Sequence, residues 1–524
     1  MKYITTIILI AIATTSFARV LSINPEQTNA QWHSVLNNLQ AGDVVYLEDG
    51  TYTNFQVDIR GNGTATNPIL VRARNPGNVF IEGAIRVRMS GNFITVDGLH
   101  FRHGWAGVDN TIFQFRGPSN AILNNSRLTN SVFDSLNSPF LNIHDENDRE
   151  HWIGLYHGSN NRIDNNYFGF KMVYGVVLFT DPRNAPANIP GNHIIERNFF
   201  GHRPSRPDNG AETMRLGDSE RSHWSTGTIV RENIFFRTDG EIEIISIKSC
   251  DNVIEGNLFF EARGQVTLRH GHRNTVRNNV FIGNGVPQTS GVRVLNSDQR
   301  VYNNWFQGLR GTGNRSALCF QMGIGEIHPL NSHHRVINAE VAYNTFINVQ
   351  RIEIGTNVSN PPSPLFAPSD SRFRNNIIFH NFTTAPLANV VPIDVVAAGR
   401  DSGITVEGNL FRVAHPTWTR PGFSQRVTLN FVRQPGALFY EITNLEDVVV
   451  NPMNCIPDLT GRGGIPSIES LLDVTGNPRL RPYTAGAINV ENFGNPPRIP
   501  NLREVGPSWF RDFESQINLL DHNP

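Results

Sequence analysis

Lysine is nearly absent from this chain. Of 45 Lys and Arg residues only Lys2, Lys171 and Lys248 are lysine, which leaves 42 arginines. Arginine stays protonated in proteins, whereas a lysine can yield its proton and act as a base. Cysteine is scarce too, and Cys250, Cys319 and Cys455 are widely spaced. That odd, sparse set excludes a disulfide framework and lacks zinc-site spacing, so small buried apolar roles are expected. Beyond the N-terminal segment no run is apolar for about 18 residues, the length a helical membrane span needs. Net charge is only −1, so no excess of one sign marks a nucleic-acid or membrane-surface binder.

The chain opens Met1-Lys2-Tyr3, then an apolar run from Ile4 to Thr14, then Ser16-Phe17-Ala18. A short apolar run before a small-x-small site reads as a secretory signal rather than an anchor. Residues 1–18 are therefore expected to be a signal peptide, with the rest exported to the periplasm or beyond. No cysteine stands near the site, so no lipid or membrane anchor is expected.

What the chain has is a repeat. Asn followed by an aromatic or apolar pair recurs at Asn166-Tyr167-Phe168, Asn198-Phe199-Phe200, Asn233-Ile234-Phe235 and Asn257-Leu258-Phe259. It continues at Asn279, Asn304, Asn344 and Asn409. Positions 233, 257, 279 and 304 are 24, 22 and 25 residues apart. Most copies follow a short β-branched run. A period of this size, built of short strands and turns, means a solenoid. Leucine-rich repeats would need fixed leucines and helices. The expected fold is all-β, a single-domain right-handed parallel β-helix with strands on two or three sheets and turns about 4.8 Å apart. The Phe residues would stack inside and the Asn residues form a ladder at a corner.

A solenoid exposes raw sheet at its ends and needs caps. Asn29 to Leu39 reads as a short amphipathic capping helix, followed by a strand and turn over Gly42 to Tyr52. After about Pro416 the repeat fades into Pro/Gly-rich sequence with a short helix expected near Trp509 to Leu520. The division expected is 19–415 for the catalytic β-helix and 416–524 for a C-terminal capping region of the same domain. The acidic cluster Asp145 to Glu150 reads as a solvated loop.

Stacking converts spacing into geometry: residues one repeat apart lie on adjacent turns. Lys248 and Arg269 are 21 apart, and Arg269 and Arg293 are 24 apart. Glu241 and Glu243, two apart, are expected on one face of a strand. Asn209 and Arg215 precede them by one loop-extended turn. Two carboxylates, an amide, a lysine and several arginines would then form one outer patch. Glu241, Glu243 and Asn209 offer hard oxygen donors, which suit Ca²⁺. A Glu–Arg network across stacked strands would use the same residues for structure alone. Arginine-rich codon usage would likewise leave Lys248 an ordinary surface residue.

Three segments carry a resemblance. Asn209-Gly210-Ala211-Glu212-Thr213-Met214-Arg215, the run from Glu241 to Lys248, and Leu268-Arg269-His270-Gly271 together resemble the signature of polysaccharide lyase family six, which contains alginate lyases and chondroitinase B. The similarity runs from the Gly42–Tyr52 region to about residue 410 and returns at Val505-Gly506-Pro507-Ser508-Trp509. It implies a parallel β-helix and Ca²⁺-dependent β-elimination of a 4-linked uronate polymer. By motif position it implies Asn209, Glu241 and Glu243 as Ca²⁺ ligands, Lys248 as general base and Arg269 as general acid. Arg215, His270 and Arg293 become substrate contacts. Lys171 fits a family segment without a catalytic role.

The chemistry explains the residue types. The C5 proton of a uronate is weakly acidic, because its removal builds charge beside a carboxylate. A cation at that carboxylate offsets the charge, and a neutral amine takes the proton. Guanidinium is a reluctant proton donor, so Arg269 is the weaker half of the pair. His270 follows Arg269 and would face the other side of a regular strand, unless a bulge intervenes; packing within the fold is the other reading for it. The Glu212-Thr213 pair before Arg215 resembles the alginate lyases, so alginate is the expected substrate. A chondroitinase B-like dermatan sulfate lyase and a non-catalytic glycan-binding β-helix are the alternatives. A pectinase-type hydrolase would need clustered aspartates. The form without a large second domain resembles endo-acting members.

Overall fold

A computed structural model describes residues 18–107, 110–183, 189–207, 209–325, 329–357, 365–382, 391, 393–413, 419–426 and 428–444. In the C-terminal segment it describes 472–478, 485–489, 492, 495–501, 503–510 and 512–513. Cys455 and nearly all of the expected signal peptide lie outside the described residues.

Each turn lays down three short strands. Ile229–Arg231, Ile234–Phe236 and Glu243–Lys248 make one turn. Val253–Glu255, Leu258–Phe260 and Gln265–His270 make the next and pair with them in parallel. Repetition gives three parallel sheets of 14 strands each among the described residues. The fold is the single-domain right-handed parallel β-helix that the repeat predicts, with three sheets. The Ile229–Arg231, Ile234–Phe236 and Glu243–Lys248 strands belong to what are called here the first, second and third sheets.

The repeated Asn sits at the corner between the first and second sheets, where two residues turn the chain. The residue before it takes a left-handed φ, as at Glu232 (54°) and Asn278 (55°). At Gly256 (62°) the missing Cβ removes the steric cost of that turn. The Asn side chain then points inward and Nδ2 donates to Oδ1 of the Asn one turn on. The chain of bonds runs through Asn166, Asn198, Asn233, Asn257 and Asn279 at 3.0 Å each. It continues through Asn304, Asn344, Asn376 and Asn409 at 3.0–3.1 Å. Asn376, followed by the apolar pair Ile377 and Ile378, is a further member of the same ladder.

The lumen is filled by Phe133, Phe168, Phe200, Phe235, Phe259, Phe281, Phe306 and Phe346. Successive rings stack with centroids 4.5–5.2 Å apart. Strand alternation sends the neighbouring aromatics outward. Phe199, Phe236 and Phe260 are nonetheless buried. They belong to a second apolar cluster shared with Val505 and Phe513. The C-terminal segment therefore runs back along the outer face of the second sheet. Gly486 N donates to Asn375 O (2.8 Å), Gly506 N to Arg197 O (2.9 Å) and Trp509 Nε1 to Asn130 O (2.8 Å). The helix expected near Trp509 to Leu520 falls largely outside the described residues.

The N-terminal helix spans Asn29–Leu36 behind a Thr28/Gln31 capping box. It buries Trp32 and Leu36, and Trp32 packs on Tyr52 and Phe55 with centroids 5.3 and 5.2 Å away. Cys250 and Cys319 are buried and free, as expected. The acidic cluster departs from expectation at Glu150, which is fully buried. Its carboxylate accepts from the backbone N–H groups of Ala106 (2.6 Å) and Gly107 (3.1 Å) and faces the buried Lys171.

Candidate active site

The third sheet carries an outward row of chemically mixed residues. Phe179, Arg215, Ser246, Thr267, Arg293 and Cys319 are successive register partners on six turns. Their strand neighbours Met214, Leu216, Ile245, Ile247, Val266 and Leu268 point into the core. Alternation thus commits one face to packing and leaves the other for function.

A bulge breaks the row. Ser246 pairs with Thr267, yet Lys248 pairs with His270, not with Arg269. Ile247 and Lys248 therefore oppose three residues, Leu268, Arg269 and His270, and the extra residue turns the strand locally. By spacing, Lys248 and Arg269 lie on adjacent turns. The bulge sends Arg269 toward Glu243, with Nε 3.8 Å from Oε1, and sets His270 level with Lys248.

Glu243 opens its strand and is the hub. Its carboxylate accepts from Ser246 Oγ and lies 3.6 Å from Arg293 Nη1. Arg293 is buried and held by two bonds to Gln321 Oε1, at 2.9 and 2.7 Å. Lys248 Nζ stands 3.6 Å from Glu212 Oε1. Glu241 lies in the bend before the strand, not on it, and its Oε1 accepts from Gly210 N at 3.3 Å. Asn209 adjoins that amide with its residue exposed. Arg215 leans the other way, its guanidinium 5.3 Å from the Phe179 ring.

The electrostatics are uneven. Burial, reinforced by Glu212 and Glu243, pushes the Glu241 carboxyl up to about 9. Burial also pushes Glu212 up, but Lys248 and Arg215 outweigh it and hold that carboxyl below its usual range. Burial lowers Arg269, partly offset by Glu243. Burial, together with Arg269 and Lys248, holds His270 well below the usual imidazole value. Among the described residues, seven buried polar atoms here have no hydrogen-bond partner: Glu212 Oε2, Arg215 Nε, both Gln265 amide atoms, Thr267 Oγ1, Arg269 Nη1 and His270 Nδ1. Orphans at this density are costly unless a ligand satisfies them.

Residues 27–445 match the chondroitinase B family model. The chain belongs to the chondroitinase B family of polysaccharide lyases. Among solved structures it is similar to a mannuronic acid specific polysaccharide family 6 lyase from human gut microbiota, at 32% identity and TM-score 0.70 over 78% of this chain and 91% of that one. It is similar to the family 6 alginate lyase AlyGC at 32% identity and TM-score 0.73, covering 81% of this chain and 55% of AlyGC. A variant of AlyGC gives 29% identity and TM-score 0.76 over 94% of this chain and 59% of that one. Comparison with curated proteins yields no match. The protein is thus a polysaccharide lyase whose structural relatives include alginate lyases.

The oxygen donors here fit a hard cation. Glu241 is buried beside two other carboxylates with one backbone N–H donor, an arrangement that asks for positive charge. Among the described residues no group of three His, Cys, Asp or Glu side chains is arranged to hold a metal ion by itself. The two glutamates would need the Asn209 amide or solvent oxygens to complete a shell.

Sequence reasoning gave no role to Glu212 and overlooked Ser246 and Gln321. Glu212 had a signal. It stands two residues before Met214, as Glu243 stands two before Ile245, and Met214 pairs with Ile245. Lys171 lies away from the groove, buried, with Nζ donating to Glu150 O at 2.7 Å.

Proposed function

We propose that this lyase cleaves alginate by Ca²⁺-assisted β-elimination, with Lys248 as base and Arg269 supporting the leaving oxygen. The observation that carries this reading is the bulge, which gathers Lys248, Arg269 and His270 beside the Glu241/Glu243 pair on one outer face. Asn209, Glu241 and Glu243 would hold the Ca²⁺, which when bound offsets charge on the uronate carboxylate. Arg215, Arg293 and His270 line the same face and would contact the sugar carboxylates and hydroxyls. Arg293 is the best anchored of these, since Gln321 fixes its guanidinium.

The C5 proton passes to Lys248 Nζ, which must be neutral to take it. The nearby Glu212 then stabilises the ammonium that results. As the C4–O bond breaks, the electron pair of the C5–H bond becomes a C4=C5 double bond. Arg269 Nη1, which has no hydrogen-bond partner among the described residues, can donate to the departing oxygen. No water attacks. The 4,5-unsaturated uronate end absorbs in the ultraviolet.

Residues 1–18 fit an export signal, so the enzyme would meet its polymer in the periplasm or medium. Among the described residues no helix is long and apolar enough to cross a membrane. Residues 19–415 would form the catalytic β-helix and 416–524 its C-terminal region. The second reading, dermatan sulfate, is favoured by the name of the matching family model. Ultraviolet absorbance is followed on alginate, on its mannuronate- and guluronate-rich blocks, and on dermatan sulfate, with Ca²⁺ and with chelator. A Ca²⁺-dependent rise on alginate supports the proposal; a rise on dermatan sulfate alone transfers the activity to that polymer. No rise on any of them refutes the uronate assignment.

A further inference from the structure

Four turns before the Glu243–Lys248 strand, the same edge of the third sheet holds a recess of about 310 Å³. The register fixes its position. Phe113, Ile153, Leu178, Met214 and Ile245 are successive partners. Thr111, which lines the recess, stands two residues before Phe113, as Glu243 stands two before Ile245. Four turns at about 4.8 Å each put the recess roughly 19 Å from the metal-side edge of the site. Several linked pyranose rings would cover that distance along the same sheet.

Its walls are aromatic and cationic. Trp105 and Phe140 meet edge to face with centroids 5.5 Å apart. Phe140 is 76% exposed, an unusual state for so large an apolar side chain. Arg86 is exposed at the start of its strand beside its register partner Gln56. Among the described residues Arg86 has no ion-pair partner. The recess is also built from beneath. Ala106 N and Gly107 N, directly after Trp105, donate to the buried Glu150 carboxylate. Lys171, which the reaction does not use, donates to Glu150 O and faces that carboxylate. This buried pair sets where Trp105 leaves the sheet.

An aromatic corner beside the exposed Arg86 guanidinium suits a ligand with apolar ring faces and a carboxylate on every unit. We propose that this recess is a distal subsite for the uronate polymer, gripping a sugar several units from the scissile bond. The inference rests on the proposed uronate substrate and on continuity with the same face. Binding so far from the reacting bond favours long chains, and its energy can be used at the reacting centre.

The test compares kcat/KM on polymer with kcat/KM on a trisaccharide of the same uronate, which is too short to span both sites. Phe140→Ala and Trp105→Ala are each expected to lower the polymer-to-trisaccharide ratio about tenfold, a change of about 1.4 kcal/mol. Phe140 is exposed, so its variant tests the idea free of folding defects. An unchanged ratio overturns the subsite while leaving the lyase assignment standing. A separate titration uses Lys248→Ala protein and alginate oligosaccharides of increasing length, read by tryptophan fluorescence. Affinity that rises with length, and loses that rise in Phe140→Ala, supports the subsite even without turnover. Affinity indifferent to length, or no binding, overturns it.

Discussion

Replacing Lys248 by methionine separates its two roles. Its Nζ lies 3.6 Å from Glu212, and both side chains are largely buried, at 15% and 2% exposure. Removing one partner of a fully buried pair costs about 3–5 kcal/mol, because the other charge stays buried alone. Arg215 and Arg203 also act on Glu212, and Lys248 is not fully buried. The expected loss is therefore smaller, about 1–3 kcal/mol, measured by urea unfolding. Loss of a general base lowers turnover about 10²–10⁴-fold, read by ultraviolet absorbance on alginate. Adding Glu212→Gln removes the stranded charge. The double variant should regain most of the stability and none of the activity. Turnover within about tenfold of the parent in Lys248→Met falls short of that general-base contribution and would refute the base assignment. Activity restored by Glu212→Gln would show that the single variant had failed through misfolding alone.

Other expectations rest on separate features. Exhaustive chelation should abolish product formation and added Ca²⁺ restore it, while Glu243→Ala should be inactive at any Ca²⁺ level; chelator-resistant activity would remove the metal from the reaction. Asn257→Ala should destabilise the fold by about 2–5 kcal/mol, since Asn233 N and Val230 O lose their buried partners; a change in the urea midpoint worth under about 0.5 kcal/mol, the size of an ordinary surface substitution, would show that the ladder is dispensable. His193 is fully buried and accepts from Asn161 N (3.3 Å), and burial lowers its imidazole from 6.5 to about 4. The unfolded chain therefore binds a proton that the folded one excludes, and stability falls as pH drops from about 6.5 to about 4, by up to roughly 3 kcal/mol. His193→Gln should flatten that slope in thermal unfolding followed across pH.

The architecture was legible because its signal is one-dimensional. Each turn repeats the same demand for an inward Asn at a left-handed corner and an inward Phe two residues on, so periodicity alone specifies a stack. Burial of Cys250 and Cys319 follows from a different signal, a thiol set too sparse and odd for a disulfide framework. The proposed metal ligands were legible as types, since two glutamates and an asparagine are hard donors wherever they sit. Glu150 was misread because sequence shows an acid beside other acids but not the two backbone N–H groups that satisfy it. The outward aromatics Phe199, Phe236 and Phe260 looked like further lumen residues. Their real cover, Val505 and Phe513, comes from a segment more than 200 residues away.

What the sequence by itself determined is the period, the sheet-forming pattern and the inventory of reactive groups, because strand alternation and corner chemistry are local. Only the tertiary structure decided who faces whom across the turns. A one-residue bulge pairs Lys248 with His270 and turns Arg269 onto Glu243. No count of residues reveals it, because a bulge is settled by packing between neighbouring turns. The same holds for Glu241, which reads as a strand residue and sits in a bend where burial and two neighbouring carboxylates raise its proton affinity. Proton affinity is set by what surrounds a group in space, and that surrounding exists only once the turns have stacked.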